Sequence, residues 1–233
     1  MIVFGNSYDQ GLPRWLWLWF PPLLLLVIVP LKILAPTFYK VWIDGELGLI
    51  ELATPGVAIA GVIVGFLLLR RPSLLPTRRI RTWVLMVSLG CVYFAGEELS
   101  WGQHLFGWST PAYLEEVNDQ EETNLHNISS WFDQKPRMLL ELWVLIGGVV
   151  WPLLHRPGAT TVGSDSYWFW PTIEALPSAA LAILIRLPER LKSLFDIEQL
   201  PLELRFSEPQ EYYFALFLFI YLASILRRAS RTH

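Results

Sequence analysis

Residues 49–69 read LIELATPGVAIAGVIVGFLLL, an apolar run that contains a single carboxylate. A helix needs about 20 mainly apolar residues to cross the roughly 30 Å of hydrocarbon in a bilayer. Comparable runs recur along the chain, and six of them lie at about 15–35, 49–69, 82–101, 138–154, 168–187 and 212–226. The pattern predicts an all-α integral membrane protein, with residues 1–233 forming one transmembrane domain of about six helices. The run at 168–187 is the most interrupted, by Pro171, Glu174 and Pro177.

The composition excludes several classes of protein. The chain is 53% hydrophobic and 17% charged, whereas soluble domains carry about 25% charged residues and disordered chains are still more polar. The net charge is −3 and the basic residues are scattered, so we expect no nucleic-acid partner. Cys91 is the single cysteine, which excludes a disulfide framework and a cysteine-based zinc site. The expected environment is therefore the lipid bilayer.

Two basic clusters predict the orientation of the chain. One lies between the second and third runs and the other in the C-terminal tail: Arg70, Arg71, Arg78, Arg79 and Arg81, and Arg227, Arg228 and Arg231. Lys and Arg in short loops mark the cytoplasmic side of a membrane. With six spans, both termini are predicted to be cytoplasmic, in a bacterial cytoplasmic (inner) membrane. Four basic residues between spans five and six oppose this orientation: Arg186, Arg190, Lys192 and Arg205.

Two polar connections fall on the predicted outer side. The longer one covers about residues 102–136, is strongly acidic and predicts a long extracytoplasmic loop. The other, about residues 186–199, places Leu187, Leu191 and Leu194 at helical spacing opposite charged residues. This pattern is typical of an amphipathic helix lying in the membrane interface. Such a helix could be a plain connector or a gate for lipid entry.

Polar residues from distant parts of the sequence are predicted to meet at this outer face. Ionisable side chains near membrane spans are costly and commonly functional. The candidate catalytic residues are Glu97, Glu98, Glu122 and His126, and the candidate substrate-binding or supporting residues are Glu46, Glu51, Gln103, His104, Asn118 and Asn127. Glu211 begins the sixth span at the same outer face. Glu141 and Glu174 are not predicted to lie with this group of residues.

Carboxylates and imidazoles together are ligands for zinc and similar divalent metals. We expect Glu98, Glu122 and His126 as metal ligands if a metal is bound. Glu122 and His126 are four residues apart, and Glu97 and His104 are seven apart, so each pair shares a face if its segment is a continuous helix. Without a metal, the same groups could serve as acid and base, or could only make structural hydrogen bonds.

One stretch resembles a group of bacterial multi-span membrane proteins. Residues 96–107 read GEELSWGQHLFG and residues 118–127 read NDQEETNLHN, similar to a pattern E-E-x-S-W-G-Q, then N-x-Q-x-E, then N-L-H-N. The segment at 46–51, ELGLIE, is similar to an upstream acidic element of that group. Arg is usual in the group where this chain has His104, which favours Glu98, Glu122 and His126 as ligands. The resemblance implies a polar site on these residues and no particular reaction.

Three functions remain open from the sequence. The first is a membrane-embedded hydrolase or transferase, metal-dependent or not, that acts on a lipid-type substrate at the outer face. The second is a non-catalytic accessory or structural subunit of a membrane protein complex, favoured by the 12 tryptophans and the incomplete catalytic signature. The third is a small proton-coupled transporter, which the one-sided distribution of carboxylates does not favour.

Overall fold

The computed structural model describes residues 11–43, 48–115, 123–124, 130–155, 160–197 and 207–231, and within these ranges the chain forms helices and turns without strands. The helices are α1 (Phe20–Leu34, preceded by a π-helical turn over Trp15–Trp19), α2 (Pro36–Trp42), α3 (Leu49–Leu69), α4 (Arg78–Glu98), α5 (Gln103–Phe106), α6 (Ala112–Glu115), α7 (Ser130–Trp143, continued by a π-helical segment over Val144–Val150), α8 (Trp151–Leu154), α9 (Asp165–Phe169), α10 (Leu176–Leu184), α11 (Leu187–Leu194) and α12 (Ser207–Ala229).

Five helical stretches in the described part of the chain are long and apolar enough to cross a membrane. They are Trp15–Leu34, Leu49–Leu69, Gln134–Leu154, Asp165–Leu194 and Ser207–Ala229. This confirms the prediction of an all-helical membrane protein. The second predicted span coincides with α3, residue for residue.

The third and fifth predicted spans differ from the sequence prediction. The third, expected over 82–101, is α4, which begins at Arg78 and ends at Glu98. Three arginines in its first turn and two glutamates in its last make α4 less apolar than the five stretches above. The fifth, expected over 168–187, is not one helix, because extended backbone at Trp170 and Thr172 separates α9 from α10. Proline at 171 lacks the N–H that a continuous helix would use there.

Helix α12 forms the centre of the bundle. In the most apolar 18-residue stretch of α12, 78% of the residues are buried. In the corresponding stretch of Trp15–Leu34 the buried share is 17%. Tyr213, Phe217 and Tyr221 on this helix are fully buried in the main hydrophobic core. Since α3, α4 and α10 all pack against α12, the positions of their polar ends are set by this one helix.

Close packing of α3 on α4 depends on small residues. A Cβ placed on Gly61 would lie 3.1 Å from the sulfur of Cys91, and one placed on Gly65 would overlap the Ser88 side chain. The two glycines therefore serve contacts between helices of the same chain.

The outer faces of several helices are apolar. Leu26 on α1, Ile63 on α3, Leu89 on α4 and Leu139 on α7 are each more than half exposed. Soluble monomers rarely expose contiguous apolar surface of this extent, whereas a bilayer would cover it.

Candidate functional site

A cleft of about 340 Å³ lies between α4, α7 and α12. Its walls are mainly apolar and its polar side chains belong to the ends of the three helices. The lining comprises Trp83, Met86, Val87, Gly90, Tyr93, Phe94, Glu97 and Glu98 from α4, Pro136, Arg137, Leu139, Leu140 and Trp143 from α7, and Glu211, Phe214 and Leu218 from α12. The volume is in the range of small-molecule sites, about 300–1,000 Å³.

Aromatic side chains form the floor of the cleft. The indole N–H of Trp83 donates to the hydroxyl oxygen of Tyr221 at 2.6 Å, and that hydroxyl donates to the carbonyl of Phe169 at 2.7 Å. The rings of Trp83 and Trp143 meet edge to face with their centroids 5.2 Å apart. These contacts join α4, α7, α9 and α12, so the floor is held by four elements.

The cleft is elongated and open along one side. Trp83 lies at its aromatic end and Glu98 at its polar end, and at 1.5 Å per residue α4 separates them by about 22 Å. Met86 on one wall is 54% exposed and Leu139 on the other is 64% exposed. The open side therefore has an apolar rim.

Carboxylates and one guanidinium group mark the polar end. Carboxylate oxygens of Glu98, Glu208 and Glu211 all lie within 4.8 Å of one another, and the three side chains are half-buried. Arg137 on α7 forms an ion pair with Glu211, with 3.1 Å between Nη1 and Oε1. Like charges at this spacing repel and the guanidinium compensates part of that repulsion, so the three carboxylates form a site that favours cations or protons.

A buried amide connects this end to the neighbouring helices. Gln210 is fully buried, and its Oε1 accepts from Nη2 of Arg137 at 2.8 Å. Its Nε2 donates to Glu141 Oε1 at 3.1 Å, and Glu141 also forms an ion pair with Arg190 of α11. The structure thus brings Glu141 next to the site, although the sequence analysis set this residue apart.

A strained turn follows α4. Ser100, Trp101 and Gly102 all have positive φ, at 45°, 53° and 103°. Such conformations cost about 1–3 kcal/mol for residues other than glycine and are often found at functional sites. The turn folds the Trp101 ring back onto α4, where a Cβ on Gly96 would lie 2.9 Å from it, and the Trp101 indole donates to Glu97 Oε1 at 2.6 Å. Glu97, which is 5% exposed, is thereby held by this turn.

Residues from the two segments that carry the sequence pattern, 96–107 and 118–127, contact each other in the structure. Asn124 Nδ2 donates to Ser100 Oγ at 3.3 Å, and the backbone N–H of Thr123 donates to Gln103 Oε1 at 2.6 Å. Gln103 Nε2 also donates to Thr110. Gln103, a candidate substrate-binding residue, is therefore placed where its amide anchors the following loop.

The other predicted residues have different outcomes. Glu51 is half-buried in the first turn of α3. The condition for Glu97 and His104 to share one helix face, a helix that continues past Trp101, is not met, because α4 ends at Glu98 and the left-handed turn intervenes. His104 belongs to α5, but its side chain is outside the described part of the structure. Glu46, Asn118, Glu122, His126 and Asn127 also lie outside the described residues, so the metal set Glu98, Glu122 and His126 stays a prediction.

Three residues at the polar end were missed by the sequence analysis, namely Arg137, Glu208 and Gln210. Helical spacing gave a signal for two of them. Glu208 precedes Glu211 by three residues, and Arg137 precedes Glu141 by four, so each pair shares a helix face. Gln210 gave no such signal, since its partners lie 24 to 73 residues away.

The arrangement can support two kinds of chemistry. A carboxylate beside a guanidinium can accept a proton from water or a hydroxyl group while the guanidinium stabilises negative charge on an oxygen. Alternatively, Glu98, Glu208 and Glu211 could hold a divalent cation, for which carboxylate oxygens are suitable ligands. Both would act at the polar end of the apolar cleft.

Comparisons of the chain with protein-family models, curated proteins and solved structures give no match.

Proposed function

We propose that this protein is a membrane-embedded hydrolase or transferase that acts on the polar end of a lipid-type substrate. The observation that carries the proposal is the cleft between α4, α7 and α12, which has apolar walls over about 22 Å and carboxylates with Arg137 at one end. An amphiphile has the same division between chain and head. Apolar walls with a few convergent polar groups are typical of ligand sites.

In the membrane, α4 is the third of six spans. Its basic end, with the exposed Arg78 and Arg79, lies at the cytoplasmic face of a bacterial inner membrane, and its Glu98 end lies at the outer face. Both termini are then cytoplasmic. Helix α11 lies in the outer interface with its exposed Leu187, Leu191 and Leu194 towards lipid.

In this arrangement the cleft is filled from the side. Met86 and Leu139 on its rim face the hydrocarbon, so an acyl chain enters between α4 and α7 without crossing water. Each methylene moved out of water contributes about 0.8 kcal/mol, but a chain already in lipid gains little from transfer alone. Selectivity must therefore come from packing against the aromatic floor and from the polar end.

Glu98 is the proposed base. It would accept the proton of the attacking water or hydroxyl as the new bond to the head forms, while Arg137 stabilises the negative charge that develops on the substrate oxygen. The same carboxyl group would then return this proton to the leaving oxygen as its bond to the rest of the substrate breaks. If a divalent cation such as zinc is bound by Glu98, Glu208 and Glu211, the cation takes over this polarising role. Elemental analysis of the purified protein distinguishes the two mechanisms.

A glycine on the cleft wall offers the sharpest test. Gly90 lines the cleft, and a Cβ placed on it meets nothing within 4 Å. Gly90→Leu should therefore fill the cleft without disturbing the packing of the helices. We expect it to reduce the amount of co-purified or added lipid bound by about tenfold or more, because its side chain takes the place of several chain methylenes and removes their packing contacts with the cleft walls.

Gly56→Leu is the matched control, since Gly56 on α3 is equally unobstructed and does not line the cleft. Native mass spectrometry of the three proteins measures bound lipid. Equal lipid binding by wild type and both variants would contradict the proposal. Absence of bound lipid together with a stable co-purifying protein would instead favour an accessory subunit of a complex.

A further inference from the structure

Gln210 occupies an unusual position for an amide. It is fully buried on α12, one turn from Phe214 on the cleft wall. Burying a polar side chain is unfavourable unless each of its hydrogen-bonding atoms has a partner. Gln210 meets this condition.

All four hydrogen-bonding positions of the Gln210 amide are used. The oxygen accepts from Arg137 at 2.8 Å and from Arg186 at 3.4 Å. The nitrogen donates to Glu141 at 3.1 Å and to the carbonyl of Ala182 at 3.0 Å. An amide offers two acceptor positions and two donor hydrogens, so this set saturates it. A rotation by 180° would turn its NH₂ towards two guanidinium groups, which fixes the orientation.

The fixed amide holds Arg137 in place. The Arg137 guanidinium has one nitrogen on Gln210 and another on Glu211, and both partners belong to α12. Arg137 itself comes from α7, so the two contacts bridge the cleft at its polar end. A planar guanidinium with two anchored nitrogens keeps its remaining N–H groups in a defined direction.

We propose that Arg137 contacts an acceptor oxygen in the head of the lipid-type substrate and that Gln210 is the positioning residue that aims it. This inference rests on the proposed function, because it concerns the substrate of the same cleft. Gln210 acts through Arg137 and does not touch the substrate. A leucine here would fill the space but leave Arg137 with one anchor.

The same amide places helix α11 in contact with the site. Arg186, directly before α11, donates to Gln210, and Arg190 within α11 pairs with Glu141. The position of α11 therefore influences both atoms of the Gln210 amide. Arg186 acts on the oxygen directly, and Arg190 acts on the nitrogen through Glu141. This explains why a neutral amide suits the position, since it accepts from cations and donates to a carboxylate at once.

The test compares two ligands, a single-chain phospholipid and the fatty alcohol with the same chain, by native mass spectrometry of the full-length protein. Gln210→Glu replaces the donating nitrogen with a carboxylate oxygen, which Glu141 and the Ala182 carbonyl repel, so the side chain shifts and Arg137 loses its fixed anchor. We expect it to lower the preference for the phospholipid over the alcohol by about tenfold, with alcohol binding unchanged. In the double variant Gln210→Glu with Glu141→Gln, the new amide at position 141 donates to the new carboxylate at position 210. This variant should recover most of the preference for the phospholipid.

Arg137→Gln keeps the inference testable if Gln210→Glu fails to fold, because the Arg137 side chain is 27% exposed and a glutamine there still offers an N–H donor. It should show the same selective loss. Gln134→Glu, at an exposed position of α7, is the control and should bind both ligands like wild type. An unchanged preference in Arg137→Gln, or an equal loss of both ligands in Gln210→Glu without recovery in the double variant, would overturn the inference. If the wild-type protein bound neither ligand, the proposed function would fail, and this assignment with it.

Discussion

Helix α12 carries a buried polar side chain near each end, and the two are partnered in different ways. Gln210 near its beginning bonds mainly to side chains of other helices, one of which, Arg137, lines the cleft. Arg228 near its end is 8% exposed and bonds to the backbone carbonyls of Ser224 and Tyr167. The Tyr167 and Trp168 rings cover its guanidinium at 5.1 Å and 5.9 Å.

The difference lies in which groups satisfy each buried side chain. Carbonyls at the end of a helix carry partial negative charge, so they and the aromatic rings satisfy Arg228 within the fold. At the other end, the carboxylates of Glu98 and Glu208 gather around that of Glu211, which pairs with the Arg137 guanidinium. On the proposed function, the polar groups next to the cleft serve a ligand, whereas those at the Arg228 end serve stability.

The largest expected change in stability is at Arg228. Arg228→Met keeps the length of the side chain but leaves the Tyr167 carbonyl without its donor, and we expect a loss of about 2–3 kcal/mol in the free energy of unfolding. Unfolding followed by tryptophan fluorescence in detergent measures it. The neighbouring Arg227→Met, at an exposed position, should change stability by less than about 0.5 kcal/mol. Equal effects of the two variants would remove the contrast.

A smaller loss is expected at the floor of the cleft, between the two ends. Trp83→Phe keeps a ring in place but removes the 2.6 Å hydrogen bond to Tyr221, which should cost about 1 kcal/mol. The control is Trp15→Phe, since Trp15 is 65% exposed, and its melting temperature should stay that of wild type. If Trp83→Phe were as stable as this control, the floor would not be held by the Trp83–Tyr221 contact.

The smallest effect on stability is expected at Glu98. Glu98→Gln removes one of three clustered carboxylates, so the free energy of unfolding should stay constant or rise by about 0.5–1 kcal/mol, while turnover of the lipid-type substrate is lost. Glu189→Gln provides the comparison, because Glu189 pairs with Arg186 at 3.0 Å and its loss should slightly destabilise. A destabilised Glu98→Gln that retained turnover would place Glu98 with the structural group.

Apolar runs were sufficient to predict the first, second, fourth and sixth helical spans. The run at 49–69 became α3 with the same bounds, because its length and apolarity leave a helix as the way to satisfy the backbone in a bilayer. The break of the fifth run at Pro171 was not predicted, since proline both kinks and interrupts membrane helices. The left-handed turn at Ser100 and Trp101 could not be predicted either, because its conformation depends on the packing of the Trp101 ring against Gly96.

The carboxylate end of the site was predicted in part. The order of the spans predicted that Glu98 and Glu211 lie at the same, outer face of the membrane. The structure brings their carboxylates close together. Arg137 and Gln210 were missed because hydrogen bonds between α7 and α12 join residues 73 positions apart. Glu141 was set aside because its position in a predicted span gave no hint that Arg190 and Gln210 reach it.

The most direct test is a high-resolution structure of the protein in a lipid bilayer disc. The proposed function requires that the cleft between α4, α7 and α12 holds an acyl chain with its head at Arg137 and Glu98. We expect elongated density along Met86 and Leu139, with its polar end within hydrogen-bonding distance of Arg137. Walls of α4 and α7 packed directly against each other, with Glu98 directed into water away from Glu211, would contradict the claim.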